Sequence, residues 1–461
     1  MRLSRNLGMH GRSMRLWRGG IALVLTTLLG YAVIAQAPAA QESAYSPPRA
    51  ALLPAAPEAI YSSDPRDPWN RIFYYLFSRR IGTRLDYEFP EGAPFVDSVS
   101  TRTFERDEIG DRAIDPLYPS HFVITGSRLV LTEPAYTDLR QALHEALDEK
   151  AARSTIARAV MQSDLWGAHD TLFFPFQPAD EKELGQHRLE ALELISRLIR
   201  KVALTHEEIK TLSDNYSTTT QNHAFPDVFG RDSGWVEVVW FHPRAHDMFA
   251  GFRRTARVFL KPTQPQHNVQ KFLDGLPERN ESDPIAGLDG VALITQLLLI
   301  DSRGRLRPTA LTSEAQVRLF GKTNAGRLKR TSLEVCEISR KLFVREPRSG
   351  GLVAEAESTP VYGGGYGFAE GEQAGPDAPV VSPPVQVTLR ARCAFCHGDD
   401  LTRLNTFSIA RPPQAPHPPV KQLNRAAHET ANFDITQKTK DKSFEGLHEY
   451  FDGSTSATAR H

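Results

Sequence analysis

The chain is poor in sulfur: three cysteines, Cys336, Cys393 and Cys396, and five methionines occur in 461 residues. Three thiols cannot form a disulfide framework of the kind that staples small exported domains, so stability has to come from packing. No methionine follows Met248, so a metal centre near the C-terminus would have no local thioether ligand. Net charge is also lacking, because 55 Lys plus Arg balance 55 Asp plus Glu. That balance argues against a nucleic-acid partner, or an anionic membrane surface, held by bulk electrostatics. The chain contains no G-x-S-x-G, no H-E-x-x-H and no P-loop, and shows no internal repeat.

What is present is concentrated at residues 393–397, Cys393-Ala394-Phe395-Cys396-His397, a C-x-x-C-H pentapeptide. Two thiols three residues apart can reach the two vinyl groups of one haem and form thioether bonds. The histidine that follows is held under the ring, where a neutral imidazole nitrogen can bind iron. With so few cysteines, this spacing arises by chance in roughly one such chain per thousand. With Gly398 the stretch reads C-x-x-C-H-G and resembles the attachment segment of c-type cytochromes. The resemblance covers six residues. It implies one covalent haem c, with Cys393 and Cys396 carrying the thioethers and His397 binding the iron as proximal ligand. It also implies attachment outside the cytoplasmic membrane and electron transfer to a redox partner protein. Two other readings stay open: a zinc site combining Cys336, Cys393, Cys396 and a histidine, and a redox dithiol or disulfide pair.

The N-terminus is consistent with export. Arg2, Arg5, Arg12, Arg15 and Arg18 form a basic region without acidic residues, Ile21 to Ala35 is apolar, and Ala35-Gln36-Ala37 is a small-x-small cleavage candidate. Residues 1–37 are therefore expected to be a signal peptide and the protein to be periplasmic in a bacterium. An uncleaved signal anchor is the rival reading, although the apolar run is short for a spanning helix.

Proline and glycine mark the organisation. Residues 38–58 read as an Ala/Pro-rich tether, 59–346 as the body, 347–384 as a Gly/Pro-rich linker, and 385–461 as a haem-binding segment. The glycine cluster Gly363-Gly364-Gly365-Tyr366-Gly367 precedes acidic, Pro-rich sequence and is read as loop. Residues 411–419 should be extended polyproline-like chain.

Within the body, runs at His121–Thr125 and Arg128–Thr132 around Gly126-Ser127 suggest a hairpin. Leu139, Ala142, Leu143, Ala146 and Leu147 make one helical stripe, and Ala191, Ile195, Leu198, Ile199 and Val202 make another. Asp180 with Glu183, and Thr205 with Glu208, have capping-box spacing. Trp235–Phe241, Thr255–Leu260 and Val291–Ile300 read as strands. Helices first and strands later predict an α+β fold, a mixed helical and β-rich body with a small C-terminal haem-binding segment. Val385, Val387, Leu389 and Ala391 alternate with polar residues, so the chain should enter Cys393 from a strand. The common small cytochromes c enter their motif from a helix instead.

The sixth iron ligand has three local candidates, His417, His428 and His448. His417 lies in the polyproline run and His428 in a possible short helix at 422–430. His448 shares a helical face with Phe444, Leu447 and Phe451. An open site or a distant ligand from the body is also possible, His246 or Met248 of the run Phe241–Phe249 among them. A bis-histidine site would have a lower potential than a His/Met one. The chemistry expected is that of an exported mono-haem electron carrier rather than of a catalyst in its own right. The alternative is a periplasmic oxidoreductase or binding module whose body handles a substrate and uses the haem as electron outlet.

Overall fold

The computed structural model describes residues 60–77, 131, 133, 135–150, 153–173, 178–222, 225–230, 232–238, 253–263, 269, 287–322, 328–357, 360–363, 385–388, 390, 393, 401 and 423–451. All of them belong to one compact unit, Arg49–His461. The fold is α+β. Its helices are α1 (Pro68–Phe77), α2 (Ala135–Asp148), α3 (Thr155–Phe173), α4 (Pro178–Val202), α5 (His206–Lys210), α6 (Asn215–Asn222), α7 (Arg340–Arg345), α8 (Leu423–Lys438) and α9 (Lys442–Phe451). Its strands are β1 (Val236–Val238), β2 (Arg254–Pro262), β3 (Leu288–Ile300), β4 (Leu306–Lys322), β5 (Leu328–Ile338), β6 (Leu352–Glu355), β7 (Pro360–Gly363) and β8 (Val385–Thr388). β1 to β6 form one sheet in sequence order, antiparallel throughout, and β7 pairs with β8.

Helical periodicity builds the first layer. The α2 stripe buries Leu139, Ala142, Leu143 and Ala146 together with Tyr136. On α4, Ala191, Ile195, Leu198, Ile199 and Val202 are all buried in the same core, each larger side chain worth about 1.5–3 kcal/mol when fully withdrawn from water. The capping box at Thr205 and Glu208 is present with both hydrogen bonds. The one expected at Asp180 is not: α4 already begins at Pro178, the position where a missing N–H costs nothing, and Asp180 lies inside the first turn.

The sheet is joined to this layer by polar side chains that satisfy strand backbone. Gln162 of α3 accepts from Ile300 N and donates to Ile300 O, both at 2.8 Å. Asn215, at the start of α6, accepts from Thr312 N at 2.7 Å and donates to Thr312 O at 3.0 Å, close to the β3–β4 register irregularities. Buried groups of this kind need partners, since an unpaired backbone polar group costs as much as a lost hydrogen bond.

Strand alternation gives the sheet two different faces. On β4 and β5, Ala315, Val317 and Cys336 join the main core with the helices, whereas Leu333 and Val335 join a separate cluster with Cys393 and Leu401. β1 ends opposite Val258, and α8 packs along β2 beyond it, where Asp434 accepts from Ala256 N at 3.4 Å.

The organisation differs from the sequence expectation in two respects. β6 lies in the span expected to be linker and is the sixth strand of the sheet, pairing Leu352 to Glu355 with β5. The last helices pack on the body: α9 lies against α3 and α4, so body and C-terminal region form one unit rather than two domains. Of the expected hairpin near residue 126 only Leu131 is described, and it is a buried turn residue. The signal region and the tether, residues 1–58, lie outside the described residues. No helix among the described residues is long and apolar enough to cross a membrane.

Candidate haem-attachment site

Of the three residues expected to attach haem, Cys393 is described; Cys396 and His397 lie outside the described residues. β8 runs from Val385 to Thr388 and β7 holds it by four antiparallel pairs from Pro360–Thr388 to Gly363–Val385, but Arg390 and Cys393 are helical, so the strand stops short of the motif and the thiol is not entered directly from a strand as the alternation suggested. Arg390 N then donates to Glu357 O at 3.0 Å, which ties the approach to the end of β6. Cys393 packs against Leu333 and Val335 of β5 and against Leu401, and is 9% exposed. Branched aliphatic neighbours of this kind suit the apolar edge of a porphyrin and do not ligate zinc, so the residues present fit a thioether-bound haem edge.

A cation borders the thiol. Arg318 stands directly across from Leu333 on β4, and its Nη1 donates to Leu401 O at 3.1 Å. Burial pushes this guanidinium down to about 10, with Cys393 acting in the opposite direction. Leu401 itself adopts φ 54, and among the described residues it is the one non-glycine with positive φ. A γ-branched side chain is uncommon in that region, so the backbone is bent where its carbonyl meets Arg318. Arg318 was not among the sequence candidates. A strand pattern with one arginine at an apolar position was the available signal, but β4 carries too many polar residues to stand out.

Cys336 is fully buried in the main core and lies on the other face of β5 from Val335 and Leu333. Burial, reinforced by Glu314, pushes its thiol up. Cys336 and Cys393 therefore do not meet, and a zinc site that uses both is removed. Cys336 forms no disulfide.

The ligand candidates are scattered. His417, His246 and Met248 lie outside the described residues. His428 is exposed on α8, with its Nδ1 2.8 Å from Asn432 Nδ2. His448 lies on α9 against the β3–β4 turn, where a Cβ built on Gly304 would come within 3.3 Å of its Nε2, and its ring meets Phe444 edge-on. Arg318 is twelve residues beyond Leu306, the first residue of β4 after that turn, or roughly 35–40 Å along the strand. That exceeds the reach of a haem held at Cys393, so the structure does not bring His448 to it. A helical face shared with phenylalanines reports burial, and here that face packs against the helical layer. Met161 is buried in the same core. Among the described residues no group of three or more His, Cys, Asp or Glu is arranged to hold a metal ion.

No protein-family model, no curated protein and no solved structure matches this chain.

Proposed function

We propose that the protein is an exported, periplasmic mono-haem c-type cytochrome that carries electrons to or from a redox partner protein. The observation that carries this reading is the C-x-x-C-H-G run at 393–398 in a chain with only one other cysteine. The basic, apolar, small-x-small N-terminus supports it independently, because haem is attached on the outer side of the membrane. Cys393 and Cys396 would hold the thioethers and His397 the iron; the bound haem supplies one-electron chemistry. The body contributes an apolar seat for the Cys393 side, through Leu333 and Val335, and a buried positive charge, through Arg318. With no methionine after residue 248, a histidine would complete the ligand set alongside His397, or the iron would be left with an open site.

The test is expression with a haem-maturation system, followed by haem staining of a denaturing gel and a reduced spectrum. Stain that survives denaturation, and is lost in C393A and C396A, is the expected result. Stoichiometric zinc, or no covalent haem, would sink the proposal. H397A should lose the low-spin six-coordinate spectrum or fail to mature.

A further inference from the structure

Helices α8 and α9 follow one another in the chain, but different chemistry fastens them to the body. α9 is seated by apolar side chains: Phe444 and Leu447 are buried in the main core, and Phe451 packs against it. Its approach is close, since a Cβ built on Gly446 would come within 2.6 Å of the Phe173 ring. Among the described side chains of α8, the buried ones are Thr430, Ala431, Asp434 and Lys438. They share one helical face, and Ala431 is the one apolar member. Phe433 and Ile435 are half-buried, and Ile435 touches the main core. The buried face is held by polar contacts. Asp434 accepts from Ala256 N at 3.4 Å, long for a bond of this type. Lys438 lies between Asp170 and Asp441, at 2.7 and 2.9 Å. The Thr430 hydroxyl, on a residue 1% exposed, has no hydrogen-bond partner.

A helix held in this way gains little net from docking. Apolar burial is forfeited in full when a helix lifts, whereas hydrogen-bonding groups and charges exchange their protein partners for water. The Thr430 hydroxyl opposes docking outright, because it gives up water and gains no partner. Lifting α8 returns Lys438 to solvent, and Asp170 keeps Arg253 and the Ser443 hydroxyl, both at 2.8 Å. The joint between the helices allows separate movement. Thr439 and Lys440 are exposed, and α9 carries its own cap, in which Ser443 N donates to Asp441 Oδ1 at 3.0 Å.

We infer that α8 is a reversible strap: it lifts off the body about the joint at 439–441 while α9 stays seated, and each opening uncovers the edge of β2. β1 ends opposite Val258, so from Arg254 to Arg257 it is α8 that lies along that edge. Covering a strand edge with a helix prevents unwanted pairing with another chain. Here the cover is removable, because its buried face is polar.

Hydrogen exchange followed by mass spectrometry on the full chain, over a series of sub-denaturing urea concentrations, tests the strap. After correction for intrinsic rates, α8 peptides should exchange at least about tenfold faster than those of α9, and with a weaker urea dependence, because a local opening exposes little surface. Thr430→Val keeps the shape and removes the unpartnered hydroxyl, so exchange of α8 should slow several-fold while α4 and α9 are unchanged. Exchange of α8 and α9 at one rate with one urea dependence would overturn the inference, since the two helices would then leave the body together. Exchange of α8 no slower in T430V than in wild type would overturn it as well. If T430V does not fold, the wild-type comparison of the two helices decides by itself.

Discussion

Lys438, at the end of α8, has a side chain that is 0% exposed, and what it touches determines whether the C-terminal helices stay on the body. Its Nζ lies 2.7 Å from Asp170 Oδ2 on α3 and 2.9 Å from Asp441 Oδ2, and the ammonium sits 5.3 Å from the centre of the Trp166 ring. Asp170 is also held by Arg253 at 2.8 Å and by the Ser443 hydroxyl at 2.8 Å. Burial by itself would push the Asp170 carboxyl up. Lys438 first, then the His169 ring 3.9 Å away and the charge of Arg253, outweigh it and hold the group well below the usual carboxylate range.

Lys438→Met removes the cation and leaves Asp170 buried. Breaking one side of a buried pair costs about 3–5 kcal/mol, and the surviving Arg253 contact places this case near 3 kcal/mol. At about 1.4 kcal/mol per decade, the opening constant of the helix pair should rise roughly 100-fold. Hydrogen exchange followed by mass spectrometry measures this directly: peptides covering α8 and α9 should lose protection by that factor, while α4 keeps most of its own. Asp170→Asn combined with Lys438→Met should be less destabilising than the sum of the two single changes. Loss of less than about fivefold, or strict additivity in the double variant, would refute the assignment of the network as the anchor. The pH sign follows from the lowered carboxyl. The folded group ionises more readily than the unfolded one, so its contribution is complete above the ordinary value of 3.8 and is lost only as pH falls towards the lower folded value.

His448→Ala should leave the visible spectrum of the haem-loaded protein unchanged, because His448 sits at the Gly304 turn; a high-spin conversion would show that the α9 placement is wrong. Thr205→Ala should lower stability by about 1 kcal/mol through loss of the α5 cap, read as a shift of the urea midpoint at constant slope. Gly351→Ala should be more severe, since φ is +67 and the new Cβ would fall 2.4 Å from Phe343 Cβ. A loss of about 2 kcal/mol or more in thermal unfolding is expected, and a neutral result would contradict the packing of α7 on that turn.

The sequence by itself determined what is local and chemical. The stripes on α2 and α4 follow from a 3.6-residue period, and the cap at Thr205 from hydroxyl and carboxylate spacing. The strand β8 follows from a period of two, although the alternation runs on past Thr388 where the chain is already helical at Arg390 and Cys393, and the haem reading follows from thiol spacing. Helix-first, strand-later order was enough for the α+β class. It did not reveal α3, β4 or β5. α3 buries residues around much of its circumference, so no single stripe stands out. β4 carries Thr, Ser, Glu, Gln and Arg on a face that is nonetheless covered, and burial of polar residues is a tertiary fact. The linker boundary failed for a related reason: β6 is four residues long and gains its identity only from pairing with β5.

What only the tertiary structure decided is which residues stand beside Cys393. Cys336 and Val335 are adjacent in the chain, yet the strand pleat sends one into the main core and the other towards the thiol. His448 is close in sequence but lies at the far end of β4, whereas Arg318, 75 residues before Cys393, arrives through strand register. Spacing along the chain fixes chemistry within a turn or a pentapeptide. Beyond that range the folded backbone selects the neighbours, because a register of hydrogen bonds can bring together residues that sequence order keeps apart.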